Sequence, residues 1–340
     1  LPDDQRAWHL AVAADRPDEE IASALERLSS DAASQGAPGT AIQVLRRAVT
    51  LTPDPVHRRA RARAAGQLAL FIGHPETALA ITADLPPTVD AVERADTQAL
   101  VGEAIAQSGR PAEACALLVA EAERIESVDP ARASALLTQA AVTTMGCGPV
   151  DTVAEMALRA RALIPREYAL IPEILEAAAR AVGGDHDTAR EVISRRMDEL
   201  RAADPSSPEH QVIALAAMCL HWLEDLDGAL ALMAPAVQTL RDHGAVTPLA
   251  FPLVVLVSVH WGRGDFLTAE ELAREAEARG EEAIGPFLQG LVLNARAYVA
   301  SVLGQDEICV AAAHRARALS DRLGIYAQGS VAEHALGLLA

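Results

Sequence analysis

The stretch Gly73–Ile81, GHPETALAI, recurs in variant form along the chain, and its copies decide the fold. Related stretches are GRPAEACAL at Gly109–Leu117 and GDHDTAREV at Gly184–Val192. Each begins with a glycine, continues with a short polar segment and then has a small residue that opens an apolar run. A glycine can end one helix in the left-handed conformation, and the polar residues after it can start the next helix. Each copy therefore predicts a helix–turn–helix.

The turn position recurs eight times along the chain, at intervals of 36 to 40 residues. The positions are Gly36, Gly73, Gly109, Gly148, Gly184, Glu224, Gly264 and Gly304. Five residues after each of them stands a residue that is small in nearly every copy: Ala41, Ala78, Ala114, Val153, Ala189, Ala229, Ala269 and Cys309. Small side chains at helical spacing allow two antiparallel helices to approach closely, so these columns predict the helix–helix contacts.

Prolines fall between the second helix of one unit and the first helix of the next. They are Pro53, Pro86, Pro130, Pro165, Pro205 and Pro286. A proline ends one helix and favours the start of another, so this placement fits the predicted boundaries. Pro172 and Pro252 lie twelve residues before their turns, which predicts that these two first helices start late or kink and widen a groove locally.

The register of small residues, turn glycine and closing proline resembles the tetratricopeptide repeat, which recurs every 34 residues. The period here is longer, and Glu224 replaces one glycine. The resemblance implies an all-α fold, a right-handed superhelix of about eight helix-turn-helix units with a partial ninth from Ile325. A junction helix is predicted within residues 1–16 and the array within 17–340. We also expect the array to be truncated at its C-terminus, with another turn due near residue 344.

Composition restricts the partners. The net charge is −18 and every basic residue is arginine. Since nucleic acids and anionic membranes are bound through clustered cations, we predict no direct nucleic-acid contact and no membrane association. The longest apolar run, Leu249–Trp261, is too short for a bilayer span. Four cysteines at distant positions predict reduced thiols in a cytoplasmic protein, with Cys147 exposed in its turn.

Motifs that would indicate catalysis do not occur in the sequence. There is no phosphate-binding loop, zinc-protease helix or hydrolase elbow. We therefore predict no enzyme, no metal site and no cofactor in this chain. His221 and His260 are interpreted as ordinary surface or groove histidines, and Trp8 as a core aromatic residue that anchors the first helices, in preference to a ligand box.

In a superhelical array the first helix of each unit lines the concave surface, and the register names its inward residues. For the early units these are polar: Arg63, Gln67, Asp96 and Glu103. For the late units they are Gln211, Met218, His221, Phe251, Ser258, Trp261, Asn294 and Tyr298. Aromatic rings beside amide and hydroxyl groups are typical of a binding groove for a ligand or partner. The alternative is that Phe251 and Trp261 only pack between units.

Residues 6 to 70 also resemble the junction region of large ATP-binding LuxR-type transcriptional regulators, the MalT-like members of the STAND class. The resemblance is carried by RAWHLA, the PDEE helix start, the unit GAPGTAIQVLRRAVTLTPDP and the arginine cluster Arg58–Arg63, in that order. It implies a bacterial sensor and scaffold domain that relays an effector signal to an upstream ATPase module and a downstream DNA-binding module. ATP is expected only for that upstream module.

The resemblance implies a small-molecule inducer or a partner protein as the binding partner, with self-association as a further option. None of the family's ATP-binding or DNA-binding residues can be carried over to this chain. Two other hypotheses stay open at this point. One is a free-standing repeat scaffold with no small-molecule site, and the other is the repeat portion of an enzyme.

Overall fold

The computed structural model describes residues 3–34, 37–145, 147–205, 210–242, 249–280 and 286–339. These residues form eighteen α-helices, one 3-10 turn and no β-strand. The chain divides into two compact units, Leu1–Ser108 and Gly109–Ala340. Within each unit, consecutive helices pack against one another. The predicted all-α, α-solenoid class is therefore confirmed.

The first unit contains six helices. They are α1 (Asp3–Ala13), α2 (Glu19–Ser34), α3 (Pro38–Leu51), α4 (Pro55–Phe71), α5 (Pro75–Ala83) and α6 (Ala91–Gln107). The second unit contains the other twelve. They are α7 (Pro111–Ile125), α8 (Pro130–Thr144), α9 (Val150–Ala162), α10 (Leu170–Val182), α11 (His186–Ala202), α12 (His210–Trp222), α13 (Leu226–Asp242), α14 (Ala250–Gly262), α15 (Phe266–Gly280), α16 (Pro286–Val302), α17 (Asp306–Leu323) and α18 (Tyr326–Leu339).

The predicted turns have the backbone conformation that the glycines suggest. Positive φ angles occur at the turn glycines Gly73, Gly109, Gly184, Gly264 and Gly304. Gly148 is not among the positive-φ residues, because α8 ends in a different turn in which the Gly148 amide donates to the carbonyl of Thr144. Gly36 lies outside the described residues. Gly324, which the repeat does not predict, ends α17 in the left-handed conformation.

Glu224 keeps the turn although it is not glycine. Its φ is 62°, a conformation that costs a residue with a side chain roughly 1–2 kcal/mol. The next amide, that of Asp225, donates to the carbonyl of Leu220 at 2.9 Å. The glycine turn at Gly264 has the same bond, in which the Asp265 amide donates to His260 at 2.9 Å. The shared bond offsets the backbone cost, so one turn geometry serves both sequences.

The column of small residues lies in the core as predicted. All eight side chains five residues after the turn positions are buried, from Ala41 near the start to Cys309 near the end. Small side chains bring the paired helices close together, and the larger aliphatic residues fill the layers between units.

The two first helices that contain an early proline are short, and α12, which has none, is equally short over the described residues. Pro172 and Pro252 are each the third residue of their helices, α10 and α14, which have 13 residues each. The first helices α4, α6 and α16 have 17 residues each. The predicted late start is therefore confirmed.

The prediction for Trp8 is wrong. Its side chain is 40% exposed, and Leu10 and Val12 on the same helix are also exposed. Helix α1 packs against α2, and Ala11 occupies the face that this contact buries. Arg47 of α3 reaches α1 only at its end, where it donates to the carbonyl of Ala11, so Trp8 is left at the surface.

Arg61 on α4 connects α2 to α4 in the first unit. Its guanidinium donates to Glu19 at 2.7 Å, to Glu26 at 2.9 Å and to the buried hydroxyl of Thr52 at 2.8 Å. The side chain of Arg61 is 6% exposed. These hydrogen bonds raise the pKa of Arg61, and its bond to Glu19 holds the pKa of that carboxyl below its ordinary value.

The neighbouring arginines of α4 are used in the same way. Arg59 donates to the carbonyls of Pro86 and Pro87, each at 3.0 Å, and so holds the segment between α5 and α6. Arg63 pairs with Asp96 on α6 at 2.5 Å. The arginine cluster noted in the sequence therefore fastens α4 to the elements on either side of it.

The second unit has a comparable buried ion pair. Arg196 on α11 donates from Nε to Glu173 on α10 at 2.9 Å and from Nη2 to the carbonyl of Arg166 at 2.7 Å. Both charged side chains are almost fully buried. Burial by itself would raise the pKa of Glu173, but hydrogen bonds from Arg196 and Arg195 outweigh it and the net shift is downward.

One contact in the second unit joins residues that are far apart in the sequence. The turn at Gly109 lies against the end of α17, where a methyl group on Gly109 would overlap the carbonyl oxygen of Arg322. Pro111 lies beside Gly324 in the same contact. Only a glycine at position 109 allows this approach as well as its positive φ.

No helix in the described part of the chain combines the length and apolar character needed to span a lipid bilayer.

Candidate functional site

Four first helices of the second unit lie side by side. Helix α12 contacts α14, α14 contacts α16, and α16 contacts α18. The register predicts this order, and it brings one face of each helix next to the same face of its neighbour. The late-unit residues named from the sequence are distributed over the first three of these helices.

Aromatic rings form a continuous line across these helices. Trp261 on α14 meets Tyr298 on α16 with ring centroids 5.2 Å apart, and Tyr298 meets His334 on α18 at 5.3 Å. Phe266, at the start of α15, contacts Trp261 at 6.2 Å. All three contacts are edge-to-face, a geometry worth about 0.5–1.5 kcal/mol per pair beyond burial. We call Phe266, Trp261, Tyr298 and His334 the aromatic strip.

The polar atoms of the aromatic strip differ in whether they have a hydrogen-bond partner. The hydroxyl of Tyr298 hydrogen-bonds Nδ1 of His334, and burial raises the pKa of Tyr298. The indole nitrogen of Trp261 is buried and has no hydrogen-bond partner within the described residues. An unsatisfied buried donor costs about 1–3 kcal/mol, and the burial of this nitrogen keeps it out of reach of a ligand on the surface.

His221 lies one helix away, in the last turn of α12. Its ring approaches Gly262 of α14, with Cε1 3.5 Å from the point a Cβ of that glycine would occupy. The described residues provide no partner for its Nδ1. Burial lowers the pKa of His221, which keeps the imidazole neutral at pH 7. The ring can therefore donate or accept one hydrogen bond.

Other predicted residues have structural roles or stay at the surface. Met218 and Phe251 are half-buried and pack against the core of the second unit, as the packing alternative for Phe251 proposes. Trp261 packs against the same core through part of its ring. The hydroxyl of Ser258 donates within its own helix to the carbonyl of Val254 at 3.1 Å. Gln211 is exposed on the first turn of α12.

Asn294 is buried between α16 and α18. Its Nδ2 donates to the carbonyl of Gln328 at 3.0 Å, and its Oδ1 has no partner among the described residues. Gln328 in turn donates from Nε2 to the carbonyl of Phe287 at 3.2 Å. Gly290 permits this arrangement, because a methyl group there would overlap Oε1 of Gln328. Asn294 therefore joins two helices and does not face an open groove.

The sequence reasoning did not name Phe266 or His334. Phe266 begins a second helix, whereas the inward positions were counted on first helices only. His334 belongs to the last described helix, which has no turn position among the eight found in the sequence. One signal could have found His334: it follows Tyr298 by 36 residues, as Tyr298 follows Trp261 by 37.

Two cavities lie away from the strip. One of about 540 Å³ is in the first unit between α1 and α2, where Leu10, Glu20 and Arg27 contribute to its wall. The other, of about 240 Å³, is in the second unit between α16 and α17. Neither is lined by any of the eight late-unit residues predicted from the sequence. The aromatic strip is thus a surface across helices and forms no part of either cavity.

Cysteine and metal chemistry can be assessed over the same residues. All four cysteines are free, and Cys147 is half-buried where exposure was predicted, because its thiol donates to the carbonyls of Thr143 and Thr144. Burial raises the pKa of Cys219 to about 12, which leaves it a protonated thiol. In the described ranges no three His, Cys, Asp or Glu side chains group closely enough to hold a metal ion.

No protein-family model matches this chain, and no curated protein matches it. The interpretation of the site therefore depends on its own residues.

Proposed function

We propose that this chain is a binding module, the sensor and scaffold part of a cytoplasmic LuxR-type regulator, and that the aromatic strip is its contact surface. The observation that carries the proposal is the line of rings from Trp261 through Tyr298 to His334 on three adjacent helices. Aromatic side chains that are fixed by edge-to-face contacts lose little entropy on binding, and such residues dominate the energy of protein interfaces.

The form of the strip favours a protein or peptide over a small molecule. A small ligand is usually enclosed in a cavity, whereas both cavities lie elsewhere. A peptide laid across α14, α16 and α18 would stack on the half-buried rings of Trp261 and Tyr298. This favours the scaffold form of the function, in which the effector is a partner protein.

The experiment selects peptides from a displayed random library on the wild-type chain and then measures their affinity by calorimetry. The double variant Trp261→Ala, Tyr298→Ala should weaken the selected peptides at least about tenfold, since each buried ring contributes on the order of 1 kcal/mol or more. Tyr326→Ala is the matched control, because Tyr326 is an exposed aromatic residue of α18 outside the strip. Helical circular dichroism should be the same for all three proteins.

Two results would count against the strip. One is that no peptide is selected at all, and the other is that every selected peptide binds the double variant as tightly as the wild type. A further result also contradicts the proposal. If the selected peptides lose as much affinity for Tyr326→Ala as for the double variant, they bind exposed aromatic side chains in general.

The regulator context is supported by the residues that resemble the family, RAWHLA and the unit that follows it. In this context the chain performs no reaction, and ATP and DNA are bound by other modules of the same protein. Sequencing the gene on both sides tests this part separately. A phosphate-binding loop upstream and a helix-turn-helix downstream are expected, and a coding region without either would leave the free-standing scaffold.

A further inference from the structure

The cavity between α16 and α17 is lined by two arginines, two leucines, an alanine and a glutamine. Its walls are Gln289 and Leu293 from α16 and Arg315, Ala318, Leu319 and Arg322 from α17. Its volume is about 240 Å³. Drug-sized ligands occupy cavities of about 300–1,000 Å³, so the space suits a smaller molecule.

The order of residues along α17 gives the cavity a pattern. Arg315 and Arg322 are seven residues apart, so they lie on one face about 10.5 Å apart along the helix axis. Ala318 and Leu319 fall between them on that face, and Leu293 faces the same space from α16. The wall therefore has a cation at each end and apolar side chains between the two cations.

Both guanidiniums lack partners. Neither Arg315 nor Arg322 makes an ion pair or a hydrogen bond with any residue that the structure describes. Arg317, between them in the sequence, pairs with Glu333 and with Asp321. Arg315 and Arg322 therefore place two unpaired cations at one cavity of a chain whose net charge is −18.

We propose that this cavity binds a small dianion whose two anionic groups flank a short apolar middle, of the aliphatic dicarboxylate class. Each guanidinium takes one carboxylate through paired N–H donors, a geometry that arginine matches better than lysine. Leu293 and Leu319 contact the methylene chain, and the Gln289 amide is placed to donate to a carboxylate oxygen. Both arginines are exposed, so binding should weaken as salt is added.

This site is separate from the aromatic strip in chemistry and in lining residues. The strip proposal concerns Trp261, Tyr298 and a protein partner, and none of its residues lines the cavity. Either proposal can fail while the other stands.

The experiment is calorimetric titration of the whole chain at low salt with straight-chain dicarboxylates from succinate to suberate, with hexanoate and with inorganic phosphate. We expect affinity to pass through a maximum at one chain length, with hexanoate and phosphate at least about tenfold weaker, since each lacks one part of the pattern. The double variant Arg315→Gln, Arg322→Gln should lose binding of the best dicarboxylate by at least about tenfold.

The matched control is Arg317→Gln, which makes the same charge change on the same helix and should bind as the wild type does. Arg315→Lys with Arg322→Lys should recover part of the affinity, since it restores charge without the paired donors. No binding of any dicarboxylate at millimolar concentration would overturn the proposal. Equal weakening in Arg317→Gln, equal binding of hexanoate, or phosphate binding as tight as the best dicarboxylate would overturn it as well.

Discussion

Helices α4 and α16 have the same length and the same proline start, and both carry buried arginines, but they differ in their other contacts. On α4 the cluster arginines Arg59, Arg61 and Arg63 each reach a carboxylate or a carbonyl on another element. On α16 Arg296 likewise pairs with Glu270 and Glu277, but Tyr298 on the same helix is held by neighbouring aromatic rings. One backbone plan thus carries a helix tied by arginines alone and another that adds an aromatic contact surface.

The difference separates structural side chains from available ones. A polar group that is already bonded inside the protein contributes to the fold and offers little to a partner, whereas an unsatisfied one favours a ligand that completes it. The arginines of α4 are therefore structural, whereas the aromatic strip on the late first helices is the proposed contact surface. Substitutions on α4 should therefore change stability most.

The largest effect is expected for Arg61→Met on α4. The change removes the bonds to Glu19 and Glu26 and leaves the buried hydroxyl of Thr52 without its donor. Breaking a fully buried pair costs about 3–5 kcal/mol, but both glutamates are partly exposed and can be hydrated, so we expect a loss of about 2 kcal/mol. Urea unfolding followed by circular dichroism measures it.

The control for that change is Arg46→Met on α3. Arg46 is exposed and has no partner among the described residues, so its substitution should alter the free energy of unfolding by less than about 0.5 kcal/mol. Equal effects from the two variants would mean that α4 is not held by its ion pairs, and the contrast with α16 would disappear.

A smaller effect is expected at the glycine of α16. Alanine is the better helix former by about 1 kcal/mol, but in Gly290→Ala the new methyl would displace Gln328 and break its bond to Phe287. We expect a net loss of about 1 kcal/mol in the free energy of unfolding. Gly337→Ala on α18 is the matched control, since nothing lies within 4 Å of its Cβ position, and it should gain about 0.5–1 kcal/mol.

Gly66 makes the corresponding test on α4. Its Cβ position is 2.6 Å from Cδ2 of Leu100, the end of a flexible side chain that can move aside. Gly66→Ala should therefore stay within about 1 kcal/mol of the wild type, because the helix gain and the displacement oppose each other. A loss at Gly66 larger than that at Gly290 would reverse the expected order.

The smallest expected effect is on the stability of the protein at acid pH, through the carboxyl of Glu19. The hydrogen bond from Arg61 lowers the pKa of Glu19 from its ordinary value of 4.5. A carboxyl with a lowered folded-state pKa stabilises the protein above pH 4.5, and this contribution is lost as the pH falls through the folded-state value. Since Glu19 is 41% exposed, the contribution should be under about 1 kcal/mol. Glu19→Gln should reduce the acid sensitivity of urea unfolding between pH 6 and 3.5.

Glu20→Gln is the control for the acid experiment, because the neighbouring Glu20 side chain is exposed and makes no hydrogen bond or ion pair with a described residue. It should leave the pH dependence as it is in the wild type. If Glu19→Gln and Glu20→Gln show the same pH dependence of urea unfolding, the hydrogen bond from Arg61 does not set the pKa of Glu19.

Features that depend on backbone geometry were predictable from the sequence. The turn glycines, the buried small column and the late starts of α10 and α14 all follow from local rules of helix capping and packing, and even Glu224 sits where the register places it. The surroundings of individual side chains were harder to predict from the sequence. Trp8 is exposed because the contacts of α1 with α2 and Arg47 cover only the part of the helix around Ala11, and Asn294 is buried because Gln328 reaches across from α18.

The candidate site was predicted in part for the same reason. Trp261 and Tyr298 meet as the register suggests, since it fixes which first helices are adjacent. The register does not fix how far along its helix each ring lies. Trp261 and Tyr298 stand at different distances before the turn positions of their units. Phe266 enters from a second helix and His334 from the last one, so both contacts depend on tertiary placement that a repeat pattern does not encode.

The contact between Gly109 and the end of α17 has a consequence for cooperativity. Repeat arrays usually unfold from their ends, because each repeat contacts only its neighbours. In the second unit the first turn touches Arg322 and Gly324, so opening either end disturbs the other. Amide hydrogens at the start of α7 and at the end of α17 should therefore exchange with similar free energies of opening.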